Sequence, residues 1–231
     1  MLPTTRRSAV FAKEPLPGKV KTRLIPALGA EGAAELQRAM LADILELHRV
    51  AGAPLDMVVA PAAAVERMKV AYPDAQAVLP QVGVDLGERL DHWFASGAPD
   101  CTTVVIGADC PLIDAATVAR AHELLESGVD AVFAPDGGGG YGLVGLRAPS
   151  PGVFQVAPLS TEDNFVRTVD EILRRGLKVE LLPQCYDVDE PRDLERLMRD
   201  LNSSARNRHQ HHPQRTAALL MRRIERSGAP N

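Results

Sequence analysis

The sequence predicts an α/β fold with a mainly parallel sheet covered by helices on both faces. Three observations lead to this prediction. Short apolar runs alternate with helical patterns of ten or more residues along most of the chain. The stretch "TTVVIGAD" (102–109) is apolar almost throughout, as expected of a central parallel strand that is buried on both sides. With 231 residues, 45% of them hydrophobic, the chain can bury a core of this kind.

Strands are predicted where a short apolar run ends in turn residues. The first, "SAVFA" (8–12), stops at a loop that contains two prolines and a glycine. Further strands are predicted at 55–60, 76–80, 102–109, 130–135, 141–146 and 178–183. The glycine-rich stretch "DGGGG" separates the fifth and sixth of the seven strands.

Helices are predicted from apolar residues at helical spacing. In 31–50, the side chains of Leu36, Met40, Ile44 and Leu47 fall on one stripe. Further helices are predicted at 62–72, 87–98, 114–127, 162–175, 190–201 and 215–226. The last is short and basic, and the polar segment before it has the composition of a linker. We therefore expect a compact domain over residues 1–201 and a basic, flexible tail over 202–231.

The charge of the chain is unevenly distributed. The formal net charge is -4, which does not suggest a nucleic-acid-binding protein. Residues 202–231 hold six arginines and one glutamate, about +5, so the first 201 residues carry about -9.

Cysteine usage favours a reduced, cytoplasmic protein. Cys101, Cys110 and Cys185 are an odd, scattered set without a CxxC pair, which argues against a disulfide framework and a structural zinc site. No segment approaches the length that spans a bilayer. We expect a cytoplasmic protein with no membrane partner.

The loop after the first strand, "KEPLPGKVKTR", has the composition of a phosphate-binding loop. Ligands of an open α/β sheet collect at the carboxyl ends of the strands, where this loop lies. Its prolines restrict the backbone, Gly18 allows close approach to a ligand, and Lys13, Lys19, Lys21 and Arg23 supply positive charge. The alternative is a solvated charged loop without a ligand.

Two other loops place aspartates at strand ends. Asp109 ends the strand 102–109, and Asp187 and Asp189 follow the last strand. Such carboxylates either cap the next turn or helix, as Asp189 could before Pro191, or bind Mg²⁺ through oxygen atoms. The pair Asp109 and Asp189, facing a cationic loop, favours a metal ion bound between the phosphates of a nucleotide.

Three further segments are weaker candidates for binding. "VDLGERL" offers Asp85, Glu88 and Arg89, although it also suits the start of a helix. The glycine loop allows backbone contact with a sugar or a base. "LSTED" (159–163) is a good helix N-terminus that could instead receive an acceptor phosphate. The six histidines are interpreted as structural or as part of the solvated tail.

Taken together, five motifs resemble the DUF2064 family of the GT-A, nucleotide-diphospho-sugar transferase superfamily. They are "FAKEPLPGKVKTRL", "VDLGERL", "IGADCPL", "GGYGLVGL" and "DVDEPRDL", in this order over about residues 8–201. The first and last are also similar to motifs of 2-phospho-lactate guanylyltransferases and, more distantly, of molybdenum cofactor guanylyltransferases. The resemblance implies a Rossmann-like GT-A domain over 1–201 that binds a nucleoside triphosphate or nucleotide-sugar with Mg²⁺ or Mn²⁺.

The resemblance also assigns roles to residues of this sequence. It implies that Lys13, Lys21 and Arg23 hold phosphates and that Asp109 and Asp189 hold the metal. The other candidates for the nucleotide or its phosphates are Gly18, Lys19, Thr22, Asp85, Glu88 and Arg89. The candidates for the second substrate are Asp136, Gly139, Gly140, Tyr141, Ser160 and Thr161.

The sequence departs from the family pattern at three places. Gly138 stands where the family usually has an aspartate, and Asp136 is the residue that could substitute for it. Leu159 replaces a common tryptophan, and the basic tail lies outside the pattern.

The primary hypothesis is a Mg²⁺-dependent nucleotidyltransferase. A phosphorylated small acceptor would attack the α-phosphorus of a nucleoside triphosphate, with Lys13 orienting the α-phosphate and Lys21 and Arg23 offsetting the developing charge. A glycosyltransferase that uses a nucleotide-sugar is the alternative, with Asp136 as its candidate base. A non-catalytic nucleotide-binding protein is the third hypothesis. Homodimerisation is a further possibility.

Overall fold

The fold is built on one seven-stranded sheet. The computed structural model describes residues 5–98, 100–156, 163–203 and 213–227. The strands are β1 (Thr5–Lys13), β2 (Asp56–Ala60), β3 (Val78–Pro80), β4 (Cys101–Gly107), β5 (Ala131–Pro135), β6 (Tyr141–Leu146) and β7 (Val179–Leu181). Their order across the sheet is β3-β2-β1-β4-β6-β5-β7.

The sheet is parallel except at β6. This strand runs antiparallel to both β4 and β5, because the short glycine loop after β5 turns the chain straight back. β1 lies at the centre of the parallel part, where Ala9 faces Asp56 of β2 on one side and Val105 of β4 on the other. The mainly parallel sheet is confirmed, and the carboxyl ends of β1 and β4 lie side by side.

The helices cover both faces, as the sequence predicts. They are α1 (Ile25–Val50), α2 (Val65–Ala71), α3 (Leu86–Ala95), α4 (Ala115–Glu126), α5 (Asn164–Arg174), α6 (Pro191–Asn202) and α7 (Gln214–Ser227). α1 begins six residues before the predicted start, because Pro26 occupies its first turn and the chain kinks at Gly29 (φ 71°) before continuing. The helix predicted at 62–72 is split into a 3₁₀ turn and α2.

Alternation along β1 divides the core into two layers. Val10 and Ala12 pack with the apolar faces of α1 and α4, whereas Ala9 and Phe11 pack on the other side with Trp93 of α3. This pattern explains why the carboxyl-terminal halves of β1 and β4 carry apolar residues on both faces. Packing on both faces of the sheet fixes the positions of the carboxyl ends of these strands.

The described part of the C-terminal segment packs on the domain. The segment predicted as a basic, flexible tail includes α7, which packs against the domain, whereas residues 204–212 lie outside the described part of the chain. The buried carboxylate of Asp43 in α1 accepts hydrogen bonds from the backbone N–H groups of Arg215 (3.1 Å) and Thr216 (2.8 Å) at the start of α7. Ala217 and Leu220 join an apolar cluster with α1 and α6. A domain boundary at residue 201 stays a prediction.

None of the described helices is long and apolar enough to cross a membrane.

His122 is a buried side chain whose two ring nitrogens are both engaged. Nε2 lies 2.7 Å from the hydroxyl of Ser8 and Nδ1 lies 2.7 Å from that of Thr102. Burial, helped by the nearby charge of Arg6, lowers the pKa of His122 from 6.5 to about 4. Its interpretation as a structural histidine agrees with this environment.

We expect the free energy of unfolding to fall by about 3 kcal/mol between pH 7 and pH 4 on account of His122. The folded-state pKa is lowered, so the unfolded chain takes up the proton first as the pH drops through 6.5. Urea unfolding of the wild type and His122→Gln at several pH values measures this contribution. The control is His92→Gln, at an exposed position of α3. Equal pH dependence in the wild type and His122→Gln would contradict the expectation.

Candidate active site

A cavity of about 740 Å³ opens at the carboxyl ends of β1 and β4. It brings together residues that are far apart in the sequence. Its lining includes Lys13, Lys19, Lys21, Thr22, Arg23, Arg89, Asp109, Asp136, Tyr141, Asp187 and Asp189. The cationic loop and the strand-end aspartates therefore form walls of one cavity.

The residue at the centre of the cationic loop, Lys21, has an unusual backbone conformation and is buried. Lys21 has φ 47° and ψ 43°, the left-handed region, and it is the only non-glycine residue with positive φ in the described ranges. For a residue with a Cβ this conformation costs about 1 kcal/mol. The turn that follows buries Leu24 completely, which holds the strained residue in place. Lys21 itself is 8% exposed, in contrast to an ordinary surface lysine.

The Lys21 ammonium lies between two carboxylates. Its Nζ is 3.4 Å from Oδ2 of Asp109 and 3.8 Å from Oδ1 of Asp189. The other oxygen of Asp189 accepts a hydrogen bond of 2.9 Å from Arg23 Nη1. These contacts join the loop after β1 to the ends of β4 and of the segment before α6.

The other two lysines of the loop differ from this pair. Lys13 and Lys19 are exposed, and neither forms an ion pair within the part of the chain that the structure describes. Gly18, with φ 75°, makes the turn that places Lys19 at the rim. The loop thus carries two cations that are engaged by carboxylates and two that face solvent.

The capping alternative for Asp189 is wrong. Glu190 is the N-cap of α6 and forms a capping box with Asp193, with Pro191 in the first turn. Asp189 is consequently available to the cavity. Its neighbour Asp187 is half-buried, and burial, reinforced by the charge of Asp109, raises the pKa of Asp187.

The segment "VDLGERL" is mainly a helix start. Oδ1 of Asp85 accepts the backbone N–H of Glu88 at 2.9 Å, and Glu88 accepts that of Val84. Neither carboxylate lines the cavity, in contrast to the prediction that both contact a nucleotide. Arg89 does line it, and its guanidinium donates to the carbonyl oxygen of Gly83 at 3.0 Å.

Asp136 organises the glycine loop. Its Oδ1 accepts hydrogen bonds from the N–H groups of Gly138 (2.7 Å) and Gly140 (3.0 Å). Gly139 adopts φ 92°, which a residue with a side chain rarely does. Tyr141 packs edge-on against Phe133, and burial raises the pKa of its hydroxyl. Of the remaining substrate candidates, Gly139 and Gly140 do not line the cavity, and Ser160 and Thr161 lie outside the described residues.

Two glutamines at the cavity were missed by sequence reasoning. Nε2 of Gln37 donates to the carbonyl oxygen of Ala108 at 3.0 Å and supports the backbone next to Asp109. Nε2 of Gln81 donates to the carbonyl oxygens of Ala12 and Val58. A polar residue beside the buried stripe of α1 was a signal for Gln37, whereas Gln81 lies in a loop and had none.

Comparisons with known proteins agree with this fold. A phosphoenolpyruvate guanylyltransferase of Rubrobacter xylanophilus is 32% identical over 183 residues, which cover 77% of this chain and 86% of that protein. A crystal structure from Desulfovibrio desulfuricans G20, provisionally assigned as a nucleotide-diphospho-sugar transferase, has 32% identity and a TM-score of 0.81, covering 96% of both chains. A nucleotidyl transferase from Methanothermobacter thermautotroptrophicus shares the fold (16% identity, TM-score 0.58, 84% of this chain and 96% of that one).

The two relatives of 32% identity show that the chain is a transferase of the nucleotide-diphospho-sugar transferase superfamily, which confirms the predicted class. The family described as "Uncharacterized protein conserved in bacteria (DUF2064)" matches residues 42–161, and the chain belongs to this family.

The left-handed backbone of Lys21 can be tested by two substitutions that both remove the ammonium. We expect Lys21→Gly to be more stable than Lys21→Ala by about 1 kcal/mol, because glycine adopts this conformation without the Cβ clash. Urea unfolding curves give the difference. Equal stability of the two variants would contradict the conformation.

Proposed function

We propose that the protein transfers a nucleoside monophosphate from a nucleoside triphosphate to a small phosphorylated acceptor and releases pyrophosphate, with a divalent metal ion. The observation that carries this proposal is the position of Lys21, between Asp109 and Asp189 in one cavity with two exposed lysines, Lys13 and Lys19. The name of the Rubrobacter relative supports GTP as donor and an acceptor similar to phosphoenolpyruvate.

Asp109 and Asp189 are the residues that would hold Mg²⁺ or Mn²⁺. They fit a cation because a cation, the Lys21 ammonium, already lies within 3.8 Å of both. In the described ranges no group of three or more His, Cys, Asp and Glu side chains is arranged around one ion site. A pair of carboxylates suits Mg²⁺, which binds few protein ligands and completes its shell with phosphate oxygens and water. When bound, the ion would neutralise charge on the reacting phosphates.

The exposed cations of the loop would bind the triphosphate. Among the described residues, no carboxylate pairs with Lys13 or Lys19, and Thr22 brings a hydroxyl donor to the same cavity. Gly18 would allow the backbone of the loop to approach the phosphates. Arg89, which also lines the cavity, adds a further cation. Lys21 and Arg23 would stabilise the charge that develops as pyrophosphate departs.

The proposed transfer forms one bond to the α-phosphorus and breaks another. An oxygen of the acceptor phosphate forms a bond to the α-phosphorus, and the bond from the α-phosphorus to the bridging oxygen breaks, with its electron pair leaving on pyrophosphate. The acceptor oxygen is already ionised at neutral pH, so no general base is required. Asp136, the base of the glycosyl-transfer alternative, is instead engaged by two backbone N–H groups.

The function is tested by pyrophosphate release from the purified protein with Mg²⁺, each of the four triphosphates and phosphoenolpyruvate. We expect release with GTP, and a loss of about 100-fold in Asp109→Asn. The control is Asp114→Asn, five residues further along, because asparagine caps α4 as well as aspartate does. Absence of release with every triphosphate, together with a thermal shift produced by a nucleotide-sugar, would favour glycosyl transfer instead.

Lys21 and a metal ion would compete for the same carboxylates. We therefore expect Lys21→Met to bind Mn²⁺ about tenfold more tightly than the wild type in the absence of nucleotide, a difference of about 1.4 kcal/mol. Electron paramagnetic resonance of free Mn²⁺ measures the affinity. Lys178→Met, at an exposed position outside the cavity, is the matched control. Weaker Mn²⁺ binding in Lys21→Met would contradict the competition.

A further inference from the structure

Two of the three cysteines meet over one glycine of the sheet. Gly142 lies in β6, and the position that its Cβ would occupy is 2.6 Å from the sulfur of Cys110 and 2.6 Å from the sulfur of Cys185. The two sulfurs are therefore no more than twice that distance, 5.2 Å, apart. Any side chain at position 142 would overlap both of them.

The two thiols come from different parts of the chain. Cys110 directly follows Asp109, and its sulfur is 3.9 Å from Oδ1 of that residue. Cys185 precedes Asp187 by two residues, and its sulfur is 3.5 Å from the carbonyl oxygen of Ala134.

The two thiols differ in access to solvent, and the third cysteine is remote. Cys110 is 2% exposed, whereas Cys185 is only partly buried. Cys101 begins β4, whose seven residues place it roughly 20 Å from the opposite end of that strand. The chain thus contains a thiol pair, of which Cys110 lines the cavity, and one distant, buried thiol.

We propose that Cys110 and Cys185 form a reversible intramolecular disulfide in the wall of the cavity. The oxidant is a low-molecular-weight disulfide. The sulfur of Cys185, after losing its proton to solvent, attacks one sulfur of the oxidant and releases the other half as a thiol. The sulfur of Cys110 loses its proton in turn and attacks Cys185 in this mixed disulfide, and the second half is released as a thiol. Two protein thiols are oxidised, and one small disulfide is reduced to two thiols.

Gly142 leaves room for this bond. The sulfurs must approach to about 2.05 Å, and no side chain at position 142 stands between them. The new bond would tie the segment that carries Asp109 to the segment that carries Asp187 and Asp189. This modification does not depend on the proposed nucleotidyl transfer.

The test incubates the native, full-length protein with oxidised glutathione and then alkylates the remaining thiols under denaturing conditions. We expect the number of free thiols to fall from three to one, with Cys101 the alkylated residue and a Cys110–Cys185 peptide in the mass map. Dithiothreitol should restore all three. Cys101→Ser should fall from two thiols to none without forming dimers.

Either of two results would overturn the proposal. One is the retention of three free thiols in the native protein under conditions that oxidise the unfolded chain. The other is oxidation that stops at a glutathione adduct on Cys185 or links two chains. Because the wild type alone distinguishes these outcomes, the test does not depend on a variant that folds.

Discussion

The contact between Lys21 and the carboxylates of Asp109 and Asp189 is the interaction on which the site depends. It joins three loops that leave the same end of the sheet, and no two of them are neighbours in sequence. Lys21 makes this contact from a left-handed backbone conformation. A strained residue persists only when its surroundings fix it. The burial of Leu24 three residues later provides that constraint.

The same constraint extends to the C-terminal helices. Leu24 shares an apolar cluster with Val188, which lies between Asp187 and Asp189, and with Leu197, Ala217 and Leu220 of α6 and α7. The loop that carries Lys21 and the loop that carries Asp189 are thus seated on one hydrophobic surface. Asp43 then anchors the start of α7 to α1. This apolar packing outside the cavity therefore positions the two loops whose charged side chains meet inside it.

The local sequence pattern predicts most of the secondary structure. The features that it does not predict depend on contacts between residues far apart in the sequence. The strands and most helices follow from apolar spacing, and the meeting of Lys21, Asp109 and Asp189 follows from the rule that ligands collect at strand ends. The left-handed conformation of Lys21 leaves no mark on the sequence, because it depends on tertiary packing. The packing of α7 against the domain was not predicted either. Its sequence is basic overall, and the apolar contacts of Ala217 and Leu220 are visible only in the folded structure.

The division of the loop cations into paired and unpaired sets explains why an acidic protein carries them together. Like charges crowded on a short loop repel one another, so a loop with four cations needs neighbouring anions. Asp109 and Asp189 neutralise Lys21 and Arg23, which leaves Lys13 and Lys19 facing solvent. Lys13 and Lys19 are exposed and can bind a ligand rich in negative charge. Asp109 and Asp189, which share the Lys21 ammonium, can bind a divalent cation. A metal ion on Asp109 and Asp189 would release Lys21 and Arg23 to bind phosphate, and a triphosphate on Lys21 and Arg23 would release the two carboxylates to bind metal. The triphosphate and the metal ion should therefore bind cooperatively.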